Sequence, residues 1–206
     1  MTTIDRLFPQ PALRQARITV EQYDHMIEQH FFEENTSIEL LNGLLVHKNR
    51  AALGEDPMTI GNAHVLAVKL LAALDPLLTP FACHIQTQQP VVLTRFDEPE
   101  PDGTILLGAP RDYPTKPTAK SIFAVIEVAD SSLATDRTTK LEIYARANLP
   151  LYLLINLPER CIEQYTHPVP KAARYAQMQT LTAQQSLSVP LPKKKSLKIS
   201  VASLLP

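Results

Sequence analysis

The stretch VIEVADSSLATDRTTKLEIYARANLPLYLLINL, residues 125–157, decides the fold. It begins inside SIFAVIEV (121–128), whose β-branched and aromatic residues suit a strand. SSLATDRTTKLEIYARAN (131–148) follows with the apolar spacing of a helix, and PLYLLINL (150–157) is a continuous apolar run of the kind that fills a strand buried on both faces. Strand, helix and strand in that order predict a right-handed parallel crossover within one sheet.

Outward from this unit, RCIEQYTH (160–167) predicts the next strand, and weaker strands fall at ARYAQMQ (173–179) and LKISV (197–201), divided by VPLPKKK (189–195). Upstream, strands are predicted at FACHIQTQQPVVL (81–93) and GTILL (103–107), punctuated by the proline-rich FDEPEPD (96–102) and GAPRDYPTKPT (108–118). TIGNAHVLAVKLLAALDPLL (59–78) has apolar spacing of three and four and predicts one long helix covering a sheet face, after a loop NRAALGEDP (49–57). SIELLNGLLVHK (37–48) predicts a β-hairpin, because Asn42-Gly43 tolerates the positive φ angles of a type I′ turn; Glu39 lies on its first strand. Thr19 and Gln22 have the spacing of a capping box opening the helix VEQYDHMIEQH (20–30). The expected organisation is an irregular N-terminal arm over 1–18 and a single α/β domain over 19–206, with no internal repeat.

Composition sets limits on function. No apolar run long enough to cross a bilayer is evident in the sequence and residues 1–10 lack the pattern of a signal peptide, so a soluble, cytoplasmic protein without membrane contact is expected. Cys83 and Cys161 stand alone, which points away from a disulfide framework or a zinc site. The net charge of −1 hides an asymmetry: residues 1–103 hold 7 Lys and Arg against 14 Asp and Glu, and residues 104–206 hold 13 against 7. Folding mixes the halves, so this asymmetry alone does not specify a nucleic-acid binder.

Two acids stand out. Glu127 interrupts the apolar FAVIEVA, and burying a lone carboxylate costs several kcal/mol unless a metal ion or a lysine pairs with it. Asp102 starts a short strand between Pro101, which stiffens the approach, and Gly103, which would let the backbone turn; by itself it reads as a turn residue. Asp136 and Lys140 are four apart on the predicted helix, and as a surface ion pair they would contribute only about 0.3–0.5 kcal/mol. The rival role for Lys140 is catalytic. His64, near the start of the long helix, suits a helix-end hydrogen bond or a phosphate contact. Lys193, Lys194 and Lys195 read as a solvated run in a turn, with DNA contact as the alternative, and Tyr144, Tyr152 and Leu153 follow the core-facing pattern.

Over residues 19–166 these pieces together resemble the Uma2-like restriction endonucleases of the PD-(D/E)xK superfamily. The resemblance rests on the opening stretch with IELLNGLLV (38–46), the helix containing His64, and EPDGTILL (100–107). It implies a restriction-endonuclease-like fold: a mixed central sheet flanked by helices, with an N-terminal helix and a β-hairpin. Pro101 and Asp102 would supply the "PD" element, Glu127 the acid on the next strand, and Glu39 an additional acid. The superfamily's lysine normally follows that acid by two residues, where this chain has Ala129. In the Uma2-like pattern the lysine comes from the following helix, and Lys140 occupies that place. Asn42 and Asn156 are milder departures at usually acidic positions.

The activity so implied is hydrolysis of DNA phosphodiester bonds, with Asp102 and Glu127 holding Mg²⁺ or Mn²⁺ and Glu39 and Lys140 completing the catalytic group. RNA or branched DNA as substrate would use the same chemistry. The alternative from another class is an inactive nucleic-acid-binding or scaffold protein that keeps the fold. Cutting both strands asks for two sites and so favours a homodimer.

Overall fold

The structure, a computed structural model, describes residues 16–33, 36–47 and 62–206. Residues 1–15 of the expected arm, the loop 49–57 and the first residues of the expected long helix, 59–61, lie outside the described residues.

Helix α1 (Val20–Glu28) opens with a complete capping box: Gln22 N–H donates to Thr19 Oγ1, and Thr19 N–H donates back to Gln22 Oε1. Strands β1 (Ile38–Leu41) and β2 (Leu44–His47) form the hairpin. Its turn residues Asn42 and Gly43 have φ of 55° and 74°, so both occupy the left-handed region that type I′ requires.

The long apolar stretch is broken. α2 (Asn62–Ala72) ends in a turn, α3 (Asp75–Leu78) follows with Pro76 in its first turn, and a 3₁₀ turn spans Thr79–Phe81. Proline lacks the N–H that would continue the helical ladder, which is why a single helix over this span is not formed. Contrary to the sequence expectation, Asn62–Phe81 is long and apolar enough by length and composition to cross a membrane. Ala67, Leu71 and Leu78 nevertheless pack against the central sheet.

That sheet has six strands in the order β3-β4-β5-β6-β7-β8: β3 (Cys83–Gln86), β4 (Gly103–Leu107), β5 (Ile122–Ala129), β6 (Leu151–Asn156), β7 (Cys161–Val169) and β8 (Arg174–Thr182). Only β5 and β6 run parallel, joined by the helical crossover; every other pairing is antiparallel, giving the mixed sheet. The crossover consists of α4 (Leu133–Thr135), a π-helical turn (Asp136–Lys140) and α5 (Leu141–Arg146). β9 (Ser186–Leu191) and β10 (Lys195–Ser200) form a separate hairpin.

Two sequence expectations are corrected. Residues 91–93 are not strand: Val91 and Val92 donate to the carbonyls of Pro99 and Pro117, so proline-rich loops replace a neighbouring strand. β9 includes Val189 to Leu191, from the segment expected only to divide two strands; Pro190 is tolerated in a two-stranded ribbon where proline removes a donor on an edge.

Alternation along β5 assigns the two faces. Ile126 and Val128 join Leu71, Leu78, Leu187 and Val189 in one core, while Val125 and Ala129 join Ile143, Tyr144 and Tyr152 in the other. Glu127 therefore projects into the layer beneath the crossover helix. Gly103 works by size and not by turning: it has no positive φ, but a Cβ there would meet Leu71 Cδ1 at 3.0 Å. Its bare backbone lets α2 close onto the sheet beside Asp102.

Candidate active site

β4 begins where β5 ends, so antiparallel pairing brings residues 102 and 127 to the same end of the sheet, with Gly103 opposite Ile126. Asp102 Oδ2 accepts the N–H of Val128 at 2.9 Å, which ties the first acid to the strand carrying the second. His64 Nε2, from the first turn of α2, lies 3.3 Å from Asp102 Oδ1.

Glu127 is buried and meets Lys140 from above. Lys140 Nζ donates to Glu127 Oε1 at 2.9 Å and stands 3.4 Å from Glu39 Oε1 and 4.0 Å from Asp136 Oδ1. The π turn sets this up: Asp136 and Lys140 both face inward, at 2% and 6% exposure. They are thus not the surface pair that their spacing alone suggested. Wide turns of this kind recur at functional positions. Glu39 arrives from the hairpin, its Oε1 accepting Glu100 N–H at 2.7 Å.

The electrostatics follow from the crowding of acids. Burial pushes Glu127 up to about 8; Lys140 pulls it down, and Asp136, Asp102 and Glu39 add to the rise. Burial likewise raises Asp136, opposed by Lys140 and by Ser132, whose hydroxyl donates to it at 2.6 Å. For Lys140 burial disfavours the charge, but Glu127, Glu39 and Asp136 outweigh it and hold the ammonium above its usual range. One buried cation thus faces three buried acids, with Asp102 and His64 adjoining.

Among the described residues, no group of three or more His, Cys, Asp or Glu forms a ready cation cage. That does not conflict with Mg²⁺, which keeps several waters and binds through one or two carboxylates. The described hydrogen bonds to Glu127 fall on Oε1. The hard oxygen donors and the excess of buried acid over cation fit a divalent ion at Asp102 and Glu127.

The sequence profile of the family described as "Putative restriction endonuclease" matches residues 20–202. The chain belongs to the Uma2 family. A solved structure described as a putative nuclease belonging to DUF820 from Anabaena variabilis superposes with a TM-score of 0.64 at 14% identity, covering 91% of this chain and 97% of that one. At that identity the likeness concerns the fold. No curated protein matches. The fold and the Uma2 membership together make this a nuclease-family protein.

Within the Uma2 frame the departures have a physical reading. Ala129 is fully buried and its carbonyl accepts Leu157 N–H at 3.0 Å, so this position packs the sheet and offers no cation. Asn42 is occupied by the hairpin, its side chain accepting from Arg146 and its N–H donating to Asp97. Asn156 Oδ1 caps the β6–β7 turn by accepting Glu159 N–H at 3.0 Å.

Two residues were missed as site components. Tyr144, read as packing, is fully buried yet its hydroxyl donates to Glu127 Oε1. Asp136, read as a surface partner, stands beside Lys140. For Tyr144 the spacing of four from Lys140 was a usable signal, since it shares the inward face. The lysine run 193–195 borders the turn of the β9–β10 hairpin, which packs on the opposite core from Glu127.

Proposed function

We propose that this protein is a divalent-metal-dependent endonuclease that hydrolyses phosphodiester bonds of DNA. The observation that carries the reading is the Lys140 ammonium, delivered by the crossover helix to the Glu127 carboxylate where the strand itself offers Ala129. A Mg²⁺ or Mn²⁺ ion held by Asp102 and Glu127 would polarise the scissile phosphate and lower the pKa of a bound water. Lys140 stays protonated among Glu39, Glu127 and Asp136, and from there would stabilise charge developing on the phosphate or orient the attacking water. Glu39, anchored by the Glu100 N–H, would hold that water or a second ion. His64 beside Asp102 is the weaker candidate, for a phosphate contact.

Double-strand cleavage would call for a C₂ homodimer presenting both sites to one side. The test is a cleavage assay on duplex DNA, single-stranded DNA, branched DNA and RNA with Mg²⁺, Mn²⁺, Ca²⁺ or EDTA. Metal-dependent cutting of duplex DNA is expected, absent in EDTA. Binding without cutting under every condition would instead identify a non-catalytic nucleic-acid-binding protein.

A further inference from the structure

Next to the acid cluster is a further buried carboxylate that the mechanism above does not use. Glu163, on β7, is 1% exposed. Three side chains hold it: Arg137 through Nε at 3.0 Å and through Nη2, the hydroxyl of Tyr165, and Asn156 Nδ2 at 3.5 Å. Glu159 adds a looser contact, 3.7 Å from Arg137 Nη2. Neutralising Glu163 explains why a cation is needed, but not why that cation sits at the protein surface on the turn that delivers Lys140.

Its position is fixed by register. Glu127 pairs with Leu154, and Leu154 with Glu163, so the two acids lie in one row across three strands. Strand spacing puts them about 10 Å apart. Arg137 follows Asp136 on the π turn, three residues before Lys140, and its side chain is 38% exposed where that of Lys140 is 7% exposed and surrounded by acids. Nη1 of Arg137 donates to no described residue, so the Nε/Nη2 edge of the guanidinium is fixed on Glu163 while the Nη1/Nη2 edge meets only the looser Glu159 contact.

We infer that Arg137 is a substrate-binding residue that grips a DNA backbone phosphate flanking the scissile one, with Glu163 holding its guanidinium in place. A planar fork with one edge immobilised loses little freedom when the other takes an anion. A separation of about 10 Å across the sheet places this phosphate within about two nucleotides of the cut. Glu159, 60% exposed, would give way as the phosphate arrives. The inference rests on the nuclease reading, and its test separates the two.

Duplex DNA binding is measured in EDTA and in Ca²⁺ across a salt series for wild type, Arg137→Lys and the double variant Arg137→Met with Glu163→Gln. The double variant removes the buried acid along with the arginine, so folding is not held hostage to an unpaired charge. It is expected to bind about tenfold more weakly. The slope of log affinity against log salt should shrink by about 1, as for the loss of one phosphate contact. Arg137→Lys should keep the salt slope but lose part of the affinity, because a point charge replaces the fork. The affinity for Mn²⁺ alone should not change in either variant. If wild type binds and cleaves DNA while the double variant keeps its affinity and slope, the arginine assignment is overturned and the nuclease reading stands. A parallel loss of Mn²⁺ affinity also overturns it, by showing a merely structural role. If wild type binds no DNA in either condition, both readings fall.

Discussion

Lys140 Nζ meets Glu127 Oε1 at 2.9 Å although the two residues lie on different elements of the crossover, one on the π turn and the other on β5. The contact joins a cation and an acid that are both almost wholly removed from water. An ion pair in such a place is costly to disrupt from one side only, because the remaining partner keeps its desolvation cost without the attraction that offset it.

Lys140→Met is accordingly expected to abolish cleavage and to destabilise the fold by about 3–5 kcal/mol at neutral pH. Glu39, Glu127 and Asp136 would then repel one another unscreened. Urea denaturation checks the stability, and Lys140→Arg should recover part of it without recovering the full rate, since the fork does not fit a point-charge position. A methionine variant as stable as wild type would show that the acids are already neutral.

Asp102→Asn and Glu127→Gln should behave differently from Lys140→Met. Burial and neighbouring acids already push Glu127 up to about 8, and Lys140 keeps Glu39 and Asp136 as acid partners when Glu127 becomes an amide, so neither side is left buried and unpaired. Metal-free stability is expected to stay within about 1 kcal/mol of wild type or above it. The rise in Tm on adding Mn²⁺, which reports binding to the folded state, should disappear in both. Unfolding of both variants would mark the acids as structural, and an unchanged metal-induced shift would move the ion elsewhere.

Tyr144→Phe removes only the hydroxyl that donates to Glu127 Oε1, leaving the ring in its packing against Tyr152. Groups that orient a metal ligand are typically worth 10–100-fold in metal affinity or activity. A loss of about tenfold in Mn²⁺ affinity, read by calorimetry with Tm nearly unchanged, is the expected outcome. A variant with wild-type metal affinity and rate would return Tyr144 to packing alone.

Glu163 gives the fold a dependence on acid. Burial would raise its pKa, but hydrogen bonds from Arg137, Tyr165 and Asn156 outweigh this and hold it below the usual carboxylate range. A depressed folded pKa contributes stability that is present above the unfolded value, near 4.5, and is lost as pH falls through the folded one. Glu163→Gln should therefore cost about 1–2 kcal/mol at pH 7, discounted because Arg137 is partly exposed, with the gap closing as pH falls below the unfolded value. Equal destabilisation at pH 7 and pH 3 would contradict this origin.

Local pattern made a good part of this protein legible. Hydrophobic periodicity and turn chemistry depend on neighbouring residues, so the capping box at Thr19 and Gln22, the Asn42-Gly43 turn, the β5–helix–β6 crossover and the two acids interrupting or opening apolar strands could all be read from the chain. The breaks in the apolar stretch 62–81 and the strand containing Pro190 were harder, because they depend on which face or edge is covered.

What only the tertiary structure decided is which polar groups share one low-dielectric space. A spacing of four said that Asp136 and Lys140 share a helix face, but whether that face meets water or Glu127 depends on a π turn and on the strand beneath it. Tyr144 looked like packing because an aromatic residue on a core-facing position satisfies the hydrophobic pattern wherever its hydroxyl ends up. Likewise Arg137 and Glu163, 26 residues apart, become partners only through the pairing of β5 with β6 and of β6 with β7. Hydrophobic pattern is a property of the local chain, whereas the pairing of buried charges is set by contacts between residues distant in sequence.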